Sequence, residues 1–395
     1  MQLQNQLIIF EHSPDVTKVA LFKGKELVEF YFESDSYKSL IGNIYRGKVK
    51  RVLPQMESIF VDIGLKKPGL LTARNEFNKT TKEFSRKFHE GQIIWVQVKK
   101  DRLSSNHGID EKGVGLTTDL SLESIHIILL PHSSGIFVSK KITDLQLRQT
   151  LVDKAEKALQ EVNYSGGLLI RSCVSDCQDD HWLEDIASLL NKWSRVKEAI
   201  QEQNKIGLVH SSGMLLETLR NQFKTLGISQ VTGEEKVSSF FQPSFIPYKS
   251  ISPLQLKSLY SEMLVEEQIH QAMQPKYELP KGGSIVIEET EALVAIDVNM
   301  GSALDQSMSN LDFNMQAARS IVQQIRLRNL SGIIVIDFVR LRNKKHRQLL
   351  INLLTELFSE DRVEVKIFGF TRIGLLEISR QRVGLSLSKI IFKNE

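Results

Sequence analysis

Two acids and one amide follow apolar strand patterns in the C-terminal part of this 395-residue chain. Asp297 and Asn299 end the run Leu293-Val-Ala-Ile-Asp-Val-Asn299, and Asp337 ends the run Ile333-Ile-Val-Ile-Asp337. Side chains in a strand alternate with a period of two, so Asp297 and Asn299 project to the same face. Oxygen donors of this kind suit Mg²⁺, which takes one or two carboxylates and keeps several waters. Such an ion would support phosphodiester hydrolysis.

The alternative for each aspartate is structural, because a carboxylate at a strand end often caps the loop or helix that follows. That alternative is the better one for any single aspartate. The metal site is at least as well supported as the structural alternative when the two acids and the amide are taken together. Their basic surroundings would be Arg372, Arg380 and Arg382.

Composition excludes several protein classes. Hydrophobic residues make up 41% of the chain and charged residues 25%, as in ordinary globular domains. The longest apolar runs fall far short of the roughly 20 residues of a membrane-spanning helix. The two cysteines, Cys173 and Cys177, are too few for a disulfide framework or a four-cysteine zinc site. We therefore expect a reducing compartment and no membrane span.

Positive charge is concentrated in one segment. Residues 38–112 hold 16 Lys and Arg against 8 Asp and Glu, whereas the whole chain has a net charge of only +4. A basic segment of this kind is typical of contact with a phosphate backbone, and a solvated basic face is the common alternative.

The strand and helix patterns change along the chain. Five short strand patterns within residues 38–120 predict a small OB-type barrel, and residues 121–215 predict a small α+β unit. A helix is predicted over Pro253–Met273, followed by a linker at Pro275–Gly283. Alternating strands and helices after this linker predict a layered α/β unit.

Several of these segments resemble the signature segments of the ribonuclease E/G family. They are Val294–Asn299, Gly332–Phe338 and Thr371–Arg382, together with Gly42–Lys48 and Ile59–Gly64, which resemble that family's S-one type OB domain. The resemblance implies a Mg²⁺-dependent endoribonuclease that cuts single-stranded A/U-rich RNA and leaves 5′-phosphate ends. The implied role is RNA processing and decay, including maturation of rRNA and polycistronic mRNA.

The resemblance also implies an α+β and α/β multidomain fold. An RNase H-like subdomain would consist of residues 1–37 and, with a linker, residues 216–281. It would be interrupted by the OB-fold RNA-binding domain at residues 38–120 and a 5′-sensor-like α+β region at residues 121–215. Residues 282–395 would form a DNase I-like α/β catalytic subdomain.

The resemblance assigns catalytic roles residue by residue. Asp297 and Asp337 match the family's metal-binding aspartates. Asn299 matches the amide that orients the attacked phosphate or water, and Arg372 matches a basic RNA contact near the scissile bond.

Further contacts are implied in the N-terminal half. Phe60 matches an RNA-stacking aromatic, a second one is replaced by Leu70, and Lys112 matches a basic RNA contact. Arg171 and Ser172 match the pair that binds a 5′-monophosphate. From the residues alone, Phe60 is a core side chain, Lys112 lies in a solvated turn and Arg171 is an exposed strand-end residue. A guanidinium beside a hydroxyl nevertheless suits phosphate, because it offers a planar fork of donors.

Two departures from the family pattern affect the expected partners. No Cys-Pro-x-Cys segment, the family's zinc link, lies between Arg382 and Glu395, so we expect no zinc link. A homo-oligomer formed through other surfaces stays open. We expect single-stranded RNA as the partner and no scaffold tail for a degradosome.

The alternative function is a catalytically weak RNA-binding protein that retains the nuclease fold. Location is inferred from composition: 36 Ile against 12 Ala indicate an A/T-rich gene. Together with the lack of a leader pattern in Met1–Phe10, this predicts a plastid-encoded protein in the chloroplast stroma, with a bacterial cytoplasm as the alternative.

Overall fold

The computed structural model divides the chain into two compact units, residues 1–39 with 225–395 and residues 40–224. The domain boundaries given above stay predictions. The residues that the structure describes are 5–13, 15–34, 38–73, 87–101, 113–176, 182–213, 215–224, 226–241, 246–290, 292–301, 308–384 and 386–391.

Five strands of the unit 40–224 close into a barrel. They are β4 (Ile44–Leu53), β5 (Ser58–Asp62), β6 (Gly69–Thr72), β7 (Ile93–Lys100) and β8 (Gly115–Thr117). Their order is β4-β5-β6-β8-β7, and β7 pairs back with β4, which confirms the predicted five-stranded barrel. A Cβ at Gly47 would lie 2.6 Å from Cγ1 of Val61, so glycine allows β4 and β5 to pack closely.

The rest of this unit is a four-stranded sheet with helices. Its elements are β9 (Leu122–Glu123), β10 (Ile127–Leu130), β11 (Ile136–Val138), α1 (Leu145–Glu161), β12 (Gly167–Ile170), α2 (Trp182–Glu202), β13 (Gly207–His210) and α3 (Leu215–Asn221). Strand β13 instead extends the barrel sheet at β4. Helix α2 buries Trp182, Ile186, Leu189 and Trp193, a spacing of three and four residues that places them on one face.

The other unit begins with a five-stranded sheet. Its elements are β1 (Asn5–His12), β2 (Val16–Lys23), β3 (Glu26–Ser34), β14 (Ile228–Gly233), α4 (Glu235–Ser238), β15 (Tyr248–Ser250), α5 (Pro253–Glu262) and α6 (Val265–Met273). The strand order is β15-β14-β1-β2-β3, with β1 and β14 parallel.

The helix predicted over Pro253–Met273 is present but divided, because the chain breaks between α5 and α6. Leu264 has a φ of 49°, in the left-handed region, and ends the hydrogen-bonding pattern of α5. The Gln268 side chain donates to the carbonyl of Met263 at 2.8 Å and so satisfies a group that the break leaves unpaired.

A six-stranded sheet forms the last part of this unit. Its elements are β16 (Lys276–Glu278), β17 (Ser284–Glu289), β18 (Leu293–Asn299), α7 (Asn310–Leu327), β19 (Gly332–Asp337), α8 (Lys344–Leu357), β20 (Val365–Phe370), β21 (Leu376–Arg380) and α9 (Leu387–Ile391). The order is β16-β17-β18-β19-β21-β20. Strand β16 lies within the predicted linker Pro275–Gly283, which is therefore partly a sheet edge.

One face of this sheet packs against helices. Ile296, Ile334 and Ile336 of the sheet share a buried core with Ile321 of α7 and Leu350 of α8. The polar residues Asp297, Asn299 and Asp337 alternate with buried residues at the ends of the central strands. None of the helices in the described ranges combines the length and apolar character that a membrane span requires.

Candidate active site

Asp297 and Asp337 are direct neighbours across two strands. Strands β18 and β19 are parallel, and Asp297 is the register partner of Asp337. Paired residues of adjacent strands point to the same face and lie about 5 Å apart. Both aspartates are exposed, whereas Ile296 and Ile336, which precede them, are buried in the core. The fold therefore brings the two predicted carboxylates together at one end of the sheet.

Asn299 joins this pair through a hydrogen bond. Its Nδ2 donates to Oδ2 of Asp297 at 2.7 Å. The bond fixes the orientation of the Asp297 carboxylate and places the amide two residues further along the same exposed face. The period-two prediction for these two residues agrees with this geometry.

The donor set fits a hard cation with a mostly aqueous shell. Within the described ranges, no group of three or more His, Cys, Asp or Glu side chains is arranged to hold a metal ion. Mg²⁺ needs no such cage, because it binds through one or two carboxylates and keeps several waters. Two exposed carboxylates with an adjacent amide oxygen meet that requirement.

Arg372 lies at the same end of the sheet. It is an exposed residue of the loop 371–375, which joins β20 to β21. Leu376, directly after this loop, pairs with Ile336, the residue before Asp337. The loop is held by bonds from Thr371 N to the Leu375 carbonyl at 2.7 Å and from Leu375 N to Thr371 Oγ1 at 3.0 Å.

The prediction that Arg380 and Arg382 belong to the basic surroundings of the site is wrong. Strand alternation turns Arg380 inward, and its side chain is 0% exposed. Its Nε donates to Asp361 Oδ2 at 2.8 Å, and its Nη1 donates to the Leu330 carbonyl at 2.9 Å. Arg382 lies against Gly332, where β19 begins, whereas Asp337 ends that strand.

Arg171 is held by backbone carbonyls. Its Nη1 donates to the carbonyls of Ser124 at 2.9 Å and Asn221 at 3.0 Å. Its backbone N–H donates to the carbonyl of His126 at 2.8 Å, which continues the pairing of β10 with β12. Ser172, the other predicted phosphate contact, begins a short 3₁₀ turn and is partly exposed. Both residues directly follow β12, which ends at Ile170.

Asp185 orders the turn that carries the Ser124 and His126 carbonyls. Its Oδ2 accepts from Ser124 Oγ at 2.8 Å, from His126 Nδ1 at 3.0 Å and from the His126 backbone N–H at 3.1 Å. Burial acts to raise the pKa of Asp185, but the bonds from His126 and Ser124 hold it below its usual value. The pairing of His126 with Asp185 could not be predicted from sequence, because residues 59 positions apart carry no local signal.

Phe60 lies on the outside of the barrel. It is partly exposed, whereas Ile59 and Val61 on either side are fully buried. Its register partners are Arg51 on β4 and Leu70 on β6. The position predicted for the second stacking aromatic thus lies directly beside Phe60. Lys112, the predicted basic contact, lies outside the described residues.

An ion pair lies on the same outer surface of the barrel. Lys50 Nζ lies 3.1 Å from Asp62 Oδ2. The pKa of Asp62 is lowered first by the hydrogen bond from the backbone N–H of Gly64 and then by Lys50. Asp62 therefore remains charged beside the basic residues of β4.

Residues 121–383 match the family model described as the ribonuclease E/G family. The chain belongs to the ribonuclease E/G family. Ribonuclease G of Salmonella typhimurium strain SL1344 is 30% identical over 404 residues, which cover 96% of this chain and 80% of that protein. Ribonuclease G of Escherichia coli K12 has the same identity and coverage. Ribonuclease E of Escherichia coli K12 is 29% identical over 409 residues, which are 97% of this chain but 37% of that protein.

The region matched to the ribonuclease E/G family contains both polar clusters described above. Asp297, Asn299 and Asp337 fall within it, as do Arg171 and Asp185. The barrel residue Phe60 precedes the region of the family model. The prediction of the family from sequence segments is confirmed.

Proposed function

We propose that this chain is a Mg²⁺-dependent endoribonuclease that cleaves single-stranded A/U-rich RNA in RNA processing and decay. Membership of the ribonuclease E/G family makes it an endoribonuclease. The observation that supports metal dependence is the register pairing of Asp297 with Asp337, with Asn299 bonded to the first of them. Both carboxylates stand exposed, so a phosphate of an extended RNA strand can reach them.

Each residue of the site has a distinct task in this proposal. Asp297 and Asp337 would hold Mg²⁺, and Asn299 keeps the Asp297 carboxylate in place through its 2.7 Å bond. When bound, the ion supplies charge neutralisation at the phosphate and a more acidic water. Arg372 offers a planar fork of donors to a phosphate oxygen at the same end of the sheet.

The direct test is cleavage of a fluorescent A/U-rich oligonucleotide with Mg²⁺ or with EDTA. We expect internal cleavage with Mg²⁺, no product with EDTA, and products that a 5′-phosphate-dependent exonuclease degrades. A G/C-rich strand of equal length, shown to be unstructured, tests the base preference. RNA binding without any Mg²⁺-dependent product would instead favour the catalytically weak RNA-binding protein.

A 5′-monophosphate is proposed to stimulate cleavage through Arg171 and Ser172. Replacing Arg171 with Ala removes a charge-assisted contact worth about 1.5–3 kcal/mol, so cleavage of 5′-monophosphorylated RNA should fall roughly tenfold or more. Arg171 also binds the carbonyls of Ser124 and Asn221, so a moderate loss on 5′-hydroxyl RNA should accompany it. The measurement is the ratio of the two rates at one salt concentration.

Two further variants separate sensing from structure in this experiment. Ser172→Ala should lower the same ratio without a change in melting temperature, because the side chain is partly exposed. Asp185→Asn should lower both the ratio and the melting temperature, because it weakens the bonds that order Ser124 and His126. A ratio that stays at the wild-type value in all three variants would remove the sensor from the proposal.

The remaining proposals concern the setting of the enzyme. Assembly into a homo-oligomer through surfaces other than a zinc link stays a prediction. Location in the chloroplast stroma, or alternatively in a bacterial cytoplasm, also stays a prediction from composition.

A further inference from the structure

Two apolar side chains project into solvent from the hairpin that carries Arg372. Ile373, the next residue in the loop, is 84% exposed, and Phe368 on β20 is 67% exposed. Exposing large apolar side chains is unfavourable, and paired exposures on one element mark binding surfaces more often than isolated ones do. These two residues have no task in the site described above.

The backbone keeps Phe368 out of the core. The register between β20 and β21 shifts between Ile367 and Gly369, so Phe368 is an additional residue in an edge strand. Ile367, directly before it, and Phe370, two residues after it, pack against the core of the sheet. Phe368 follows the inward-facing Ile367 and therefore projects to the opposite side, and the shift then lets Phe370 face the core again.

The loop that carries Ile373 is held in shape. Thr371 and Leu375 exchange two hydrogen bonds, and Gly374 N donates to the Thr371 carbonyl at 3.2 Å. Gly374 has a φ of 106°, which side chains other than glycine rarely adopt. An exposed side chain on a fixed loop loses little additional conformational freedom when a ligand binds.

We infer that Phe368 and Ile373 form the seat of a nucleobase next to the scissile phosphate, with Arg372 binding the adjoining phosphate. The inference rests on the proposed cleavage of single-stranded RNA at Asp297 and Asp337. Along this edge of the sheet, a pair of acids for the metal is followed by a cation and then by apolar side chains. A single RNA strand presents the complementary series, since each phosphate is followed by a base with an apolar face. Stacking of bases on such side chains tolerates different sequences.

The inference is tested by a thermodynamic cycle in which the enzyme side chains and a substrate base are removed singly and together. The cleavage site of one oligonucleotide is first mapped with the wild-type enzyme. Substrates that lack the base at one of the two positions flanking that site are then compared with the intact strand. We expect base removal at one position to lower kcat/KM of the wild type about tenfold.

The double variant Phe368→Ala, Ile373→Ser should lower kcat/KM on the intact strand by about the same factor. On the strand that lacks the critical base, the double variant and the wild type should have kcat/KM values within about twofold of each other, because the contact is already absent. Its melting temperature should not change, since both side chains are exposed. Leu349→Ser is the matched control, because Leu349 is 49% exposed on α8. This variant should cleave all strands as the wild type does.

Three outcomes overturn the inference. If kcat/KM of the double variant on the strand without the base falls about a hundredfold, the two effects multiply and the side chains act elsewhere. Wild-type rates in the double variant show that they do not act in cleavage. A lower sedimentation coefficient of the variant, with base dependence intact, shows that they join copies of the chain. Absence of cleavage by the wild type would instead contradict the proposed function itself.

Discussion

Replacing Asp297 with Asn, or Asp337 with Asn, is expected to lower single-turnover cleavage by roughly a hundredfold or more, about 2.7 kcal/mol. Each change removes one of two charges that would hold Mg²⁺ between β18 and β19. Binding of RNA, measured by fluorescence anisotropy without Mg²⁺, should change little. The reason is that the positive charge of the chain is concentrated in residues 38–112, away from these carboxylates in the sequence.

A matched control exists on the same sheet. Glu364 is an exposed acid that precedes β20 and pairs with Lys366, at the opposite end of the hairpin from Arg372. Glu364→Gln should therefore cleave at the wild-type rate. If either aspartate variant cleaves within about threefold of the wild type, an effect below ~0.7 kcal/mol, the metal assignment is wrong.

Replacing Arg380 with Met should destabilise the protein by about 3–5 kcal/mol, because it leaves Asp361 buried without its partner. The side chains of Arg380 and Asp361 are both 0% exposed, and two hydrogen bonds join them. The free energy of unfolding in urea is the measurement. Arg380→Met with Asp361→Asn should recover part of the loss, because no unpaired charge then remains.

RNA binding distinguishes the two roles of Arg380. As a structural residue, its replacement lowers stability and leaves RNA affinity of the folded protein unchanged at low temperature. An Arg380→Met variant with wild-type stability and weakened RNA binding would contradict the buried ion pair and favour the predicted place of Arg380 in the basic surroundings of the site.

The sequence predicted the elements that carry a local pattern and missed features that depend on contacts with distant residues. The barrel strands follow from alternation between turn residues. The helix break at Leu264 has no local signal, because leucine is a good helix former and its left-handed conformation depends on tertiary contacts. Strand β16 has only three residues and is defined by its pairing with β17.

The site shows the same division between local and distant information. Alternation within one strand places Asp297 and Asn299 on one face, but the register that sets Asp337 beside them is a property of two strands. The burial of Arg380 could be predicted, because Leu376 and Ile378 precede it with a period of two and mark its side of β21 as the buried one. Its acidic partner Asp361 lies 19 residues earlier and could not be predicted from the sequence.

Strand β1 pairs with β2, its immediate successor, and with β14, to which it is also tied by a bond from Asn5 Nδ2 to the Leu226 carbonyl across 221 residues. Synthesis proceeds at about 5–20 residues per second, so roughly 10–40 seconds pass between the emergence of the two partners. During that interval β1 presents an open edge to other nascent chains, a template for mispairing. The speed of translation across residues 40–224 therefore determines how long the nascent chain is prone to aggregation.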